Sequence, residues 1–127
     1  MGFFNSRFYL FSPFILVMAA LQACAPNVPP PTQDYAYYAS AQGRNLDLAS
    51  LQAGRELYVA KCSGCHGLHR PTRYAPELWP KEVDSMVVKA KINAQQRQAI
   101  LDYLTTASGY LRDSIETSKT IEKANKI

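Results

Sequence analysis

The sequence predicts an all-α fold of about three helices, and three observations predict it. Apolar residues recur at helical spacing in two stretches: Leu51, Gly54, Leu57 and Tyr58, and then Ile100, Tyr103, Leu104 and Ala107. Each stretch opens on capping residues, Asp47 to Ser50 for the first and an Asn93/Gln96 capping box for the second. Finally, Cys62-Ser63-Gly64-Cys65-His66 spaces two thiols and an imidazole three and four residues apart, so one helical turn presents all three on one face.

Residues 1–23 read as an export signal. Arg7 supplies a short positive region, and Phe8 to Leu21 is apolar except at Ser12 and Pro13, too short for a spanning helix of about 20 residues. The run ends in Leu21-Gln22-Ala23-Cys24, which resembles the lipobox of bacterial lipoproteins, with Gln22 in place of the usual small residue. The resemblance implies that Cys24 is acylated and becomes the first mature residue. Cleavage nearby by an ordinary signal peptidase and retention as a membrane anchor are the competing readings. Ala25, where Asp would argue for inner-membrane retention, favours the outer membrane and an anchored protein on the periplasmic side.

Residues 24–45 read as the lipidated Cys followed by a tether. Pro26 and Pro29-Pro30-Pro31 favour extended polyproline geometry, a spacer of about 3.1 Å per residue. Tyr35, Tyr37 and Tyr38 are expected to pack over the outside of the folded domain, the alternative being contact with a membrane interface or a partner.

The first helix runs from about Asp47 into the cysteines. Gly54 costs about 1 kcal/mol relative to alanine inside a helix, which points to close approach of a second helix, with Tyr58 and Tyr103 near the crossing. A loop over residues 67–78 follows, then a short helix opening at Pro80 with Val83, Met86, Val87 and Ala90 on one face. The last helix is expected to end at Gly109. The tail, residues 110–127, carries scattered Leu111, Ile115 and Ile121 among charges and reads as weakly helical or frayed.

The arrangement Cys62-x-x-Cys65-His66 is the one by which a polypeptide attaches haem covalently: the thiols add to the two vinyl groups while the imidazole reaches the iron from the same side. Two other chemistries use similar residues. A dithiol redox centre favours a helix N-terminus, where the macrodipole lowers a thiol pKa, whereas here a helical pattern precedes the motif. A zinc site needs a second ligand pair, and downstream there is only His69. Three cysteines are thereby assigned, Cys24 to lipid and Cys62 and Cys65 to haem c, the single cofactor expected. The formal charge of +4 falls to +3 when Arg7 leaves with the signal; with no Lys/Arg cluster, nucleic acid is not indicated.

Helix, haem motif, a loop with Pro71, then Trp79, Met86 and a closing helix with Ile100, Tyr103 and Leu104 resemble a small monohaem class I cytochrome c over about residues 48–108, within a domain of 46–109. The resemblance implies a cytochrome c-like fold with His66 as proximal iron ligand, its other ring nitrogen donating to a backbone carbonyl of the loop containing Pro71. It implies a methionine on the other face. Met86 is the one that remains after Met1 and Met18 leave with the signal, with a packing role as its alternative. Arg70, Arg73, Tyr74 and Trp79 are candidates for propionate or pocket contacts. The expected function is one-electron transfer with redox partner proteins, alone or as the cytochrome subunit of a larger oxidoreductase. The alternatives are a haem protein whose open sixth site takes a small gas and a haem-free dithiol protein. No carboxylate pair or Ser/His/Asp set near the motif indicates an enzyme.

Overall fold

A computed structural model describes residues 28–64 and 67–126. The protein is all-helical: the described residues form α1 (Gln33–Ala41), α2 (Leu48–Cys62), α3 (Trp79–Ala90) and α4 (Ala94–Ala124), with no strand among them. Two one-turn 3₁₀ helices, Pro71–Arg73 and Pro76–Leu78, join α2 to α3. The export signal, Cys24, Cys65 and His66 lie outside the described residues.

α2 and α4 form the central pair. Both start in reciprocal capping boxes, Asp47 with Ser50 and Asn93 with Gln96, each satisfying backbone N–H groups at its helix start. They cross at Gly54, where a Cβ would stand 2.1 Å from the Ala99 carbonyl oxygen and 3.0 Å from the Tyr103 Cβ. Glycine there lets the two backbones touch, and Leu51, Ile100, Tyr103, Leu104 and Ala107 are fully excluded from solvent around the crossing.

α3 begins at Trp79 with Pro80 in its first turn, where a missing N–H costs nothing. It closes in a Schellman arrangement: Ile92 N–H donates to the Val87 carbonyl and Lys91 N–H to that of Val88. Lys91 takes the left-handed position (φ 51°) in which glycine is the usual occupant.

Three expectations are corrected. The segment read as a tether through residue 45 is folded from Val28 onward. Val28 is 2 % exposed and its carbonyl accepts Nε and Nη2 of Arg55 at 3.1 and 3.0 Å, while the Pro29 carbonyl accepts the Tyr103 hydroxyl at 2.6 Å. The prolines disfavour helix only as far as Pro31. Beyond Thr32 nothing forbids it, and Tyr35, Ala36 and Ala39 bury one face of α1, with the Tyr35 ring 4.6 Å from that of Tyr110. Among the described residues packing therefore reaches back to residue 28 rather than 46, and α1 joins the three helices expected after it.

Gly109 does not end the last helix. It is buried inside α4, where a Cβ would lie 2.6 Å from the Tyr38 hydroxyl, so it serves close approach of α1 instead of termination. The tail is accordingly helical to Ala124.

Candidate functional site

The loop and α3 fold back over the C-terminal end of α2 and enclose a small apolar cavity of about 80 Å³, partly open to solvent. That is smaller than the range of about 300–1,000 Å³ usual for cofactor sites, so what marks the place is its lining and its opening to solvent. α2 contributes Tyr58, Lys61 and Cys62; the loop contributes His69 and Tyr74; α3 contributes Trp79, Glu82, Val83, Met86, Lys89 and Ala90; and Ile92 closes the end. The α3 members recur every three or four residues, so one helical face forms a wall.

Aromatic packing fixes the walls. The Trp79 ring meets Tyr58 and Tyr74 edge-on, at centroid distances of 6.2 and 5.1 Å, and Tyr74 meets His69 edge-on at 5.8 Å. The polar atoms of Trp79 and Tyr58 bond to backbone. Trp79 Nε1 donates to the Pro71 carbonyl at 3.0 Å and the Tyr58 hydroxyl to the His69 carbonyl at 2.9 Å. Buried aromatic groups of this kind need such partners. Burial, reinforced by the neighbouring Cys62, pushes the Tyr58 phenol up to about 12, against the opposing pull of the His69 carbonyl.

The predicted site residues divide clearly. Cys62, Tyr74, Trp79 and Met86 come together as lining of one cavity although they come from two helices and a loop. Cys62 is the last residue of α2 and partly buried, and Met86 is half-buried on α3. Arg70 and Arg73 are not among the lining residues. The Arg73 guanidinium instead lies 5.9 Å from the Tyr74 ring centroid, a cation–π arrangement. Trp79 has a single N–H and donates it to Pro71, so its place is that of a wall and not of a carboxylate donor.

Sequence reasoning did not select Tyr58, Lys61, Glu82, Lys89 or Ile92 for the site. Tyr58 was legible in principle, because it stands four residues before Cys62 and so shares its helical face. Lys89 stands likewise three residues beyond Met86. Ile92 depends on the Schellman turn that folds it back, which no local signal announces.

The chemistry available is that of a half-enclosed apolar slot with a thiol from one helix and a thioether from another. Both are soft donors, suited to a polarisable metal and not to Mg²⁺ or Ca²⁺. Among the described residues no group of three or more His, Cys, Asp or Glu converges to hold a metal ion, and no helix is long and apolar enough to cross a membrane. No family model matches the chain, and neither a curated protein nor a solved structure matches it.

Proposed function

We propose that the protein is a membrane-anchored monohaem c-type cytochrome that carries single electrons on the periplasmic side of a bacterial membrane. The observation that carries the reading is Cys62-Ser63-Gly64-Cys65-His66 at the end of α2, with Cys62 lining an apolar cavity that Met86 also lines. Cys62 and Cys65 are the attachment thiols and His66 the proximal ligand. Met86 is the distal ligand, supported by its place in the cavity lining and by the preference of a thioether for the reduced metal.

The residues present suit a flat apolar macrocycle. Trp79, Tyr74, Tyr58 and Val83 offer hydrocarbon surface, with the polar atoms of Trp79 and Tyr58 already satisfied by backbone. When bound, iron porphyrin supplies a one-electron valence change. The chain's contribution is to hold the group, exclude water from one side of it, and keep the thioether within the pocket. Arg70 and Arg73 lie outside the lining, so among the described cations Lys61 and Lys89 are better placed to meet propionates.

Cys24 is proposed as the lipid site that anchors the mature chain, with the outer membrane favoured. The partners are redox proteins, and the chain works alone or as the cytochrome subunit of an oxidoreductase.

The test is a haem stain after denaturing electrophoresis, followed by reduced-minus-oxidised spectra with and without carbon monoxide. Covalent pigment and a low-spin spectrum indifferent to carbon monoxide are expected. Ready uptake of carbon monoxide would replace the carrier reading with a gas-binding one, and a colourless protein with reactive thiols would overturn both. Met86→Ala should shift the spectrum and lower the potential. An unchanged spectrum and potential would remove Met86 from the ligand set.

A further inference from the structure

The geometry points to residues 28–31 as a clamp that seats the folded domain directly on the membrane surface to which Cys24 is attached. The inference rests on the proposed lipid site and goes beyond it, because lipidation alone leaves open how far from the bilayer the domain works.

A lipoprotein with a flexible spacer over residues 24–45 would reach about 70 Å at polyproline rise. From Val28 onward the folded chain leaves no such spacer. The Val28 carbonyl is gripped by two guanidinium N–H groups of Arg55, and the next carbonyl, Pro29, by the buried Tyr103 hydroxyl. Val28 and Pro31 are both buried, and α1 starts at Gln33. Hydrogen bonds from a charged donor are among the stronger ones, and these tie the segment to α2 and α4 at once.

Only four residue steps then separate Cys24 from the clamped Val28. Fully extended they span at most about 14 Å. Arg55 and Cys62 stand seven residues apart on α2, about 10 Å along its axis. Cys62 is thus held within a few tens of ångströms of the headgroups, within reach of a redox partner in or on the same membrane.

Neutron reflectometry of the matured full chain on supported phosphatidylethanolamine/phosphatidylglycerol bilayers tests this. The protein layer should begin within about 15 Å of the headgroups. Arg55→Gln combined with Tyr103→Phe should at least double that gap. Inserting 20 Gly/Ser residues between Cys24 and Val28 leaves the clamp intact and should lift the layer by about 25 Å. This second variant keeps the test decisive if the first does not fold. A wild-type layer standing several tens of ångströms away, or a gap unmoved by the insertion, overturns the inference. Mass spectrometry showing Cys24 without lipid overturns the anchor and the clamp's role together. A colourless but acylated and closely seated protein overturns only the haem reading.

Discussion

The two halves of α4 are one continuous helix held in two different ways. From Ile100 to Gly109 it buries Ile100, Leu101, Tyr103, Leu104, Thr106, Ala107, Ser108 and Gly109, whereas from Arg112 onward every described side chain is exposed. The hydroxyls show the difference most directly. In the inner half, Thr106 accepts from Arg44 and Ser108 donates to the Tyr74 carbonyl, tying α4 to distant parts of the chain. In the outer half, Ser114, Ser118 and Thr120 donate only to carbonyls four residues back in the same helix. Such back-bonding adds no tertiary stability, and an isolated helix of that length is marginal in water. The inner half is helical because burial holds it there. Beyond Arg112 and Asp113, which still bond to the Thr72 carbonyl and the Tyr38 hydroxyl, the outer half has only its continuity with the inner half and its own propensity.

The largest expected effect comes from breaking the inner half away from α2. Gly54→Val sets a branched side chain against the Ala99 carbonyl, which a Cβ would meet at 2.1 Å, and backbone cannot yield as a side-chain tip can. A loss of at least about 3 kcal/mol is expected, from overpacking plus a β-branched residue in the crossing; urea unfolding measures it. Alkaline pH should be next. Burial raises the phenols of Tyr103, in the inner half, and of Tyr58, the latter to about 12, above the ordinary value of 10.0. Because the folded state holds these protons more tightly, the stability they contribute is complete below pH 10. It is lost as pH rises through the folded values, on the order of 2 kcal/mol for Tyr58 alone. Denaturation midpoints followed from pH 9 to 12 should fall, and Tyr58→Phe should flatten the decline.

Most of what holds the inner half was legible in the sequence. Both capping boxes, the apolar stripes and the Gly54 crossing depend on residues within a turn or two of each other, or on a glycine whose cost invites an explanation. The gathering of Cys62, Tyr74, Trp79 and Met86 around one cavity was legible more loosely, through the motif and the helical face of α3. What was missed depends on contacts far along the chain. The Pro-rich opening reads as a spacer because polyproline carries no sign that Arg55, 27 residues on, will hold the Val28 carbonyl. Gly109 reads as a helix stop because termination and close approach favour the same residue, and only the arrival of Tyr38 decides between them. The arginines were selected for charge, yet Arg73 is turned to the Tyr74 ring.

Gly109→Ala probes the junction of the two halves. The new methyl would meet the far end of the Tyr38 side chain, which can swing aside, so the cost is the Tyr38–Asp113 hydrogen bond of 2.7 Å and some packing. Alanine recovers about 1 kcal/mol of helix propensity. A net change within about 1 kcal/mol is therefore expected, well below that of Gly54→Val.

Deletion of residues 114–127 should have the smallest effect. Asp113 and its bond to Tyr38 are kept, as is the Arg112 contact with the Thr72 carbonyl, and nothing buried is removed. Stability should change by less than about 0.5 kcal/mol, roughly 2–4 °C in Tm for a domain of this size. Far-UV circular dichroism should still lose about three turns of helix, since the deleted residues are helical to Ala124. Hydrogen exchange on the full chain sharpens the point: amides beyond Ser114 should exchange orders of magnitude faster than those of Ile100 to Ala107, because they open by fraying and not by global unfolding. Equal protection in the two halves, or a large fall in Tm on truncation, would mean that the outer half has a partner that its exposed surface does not reveal.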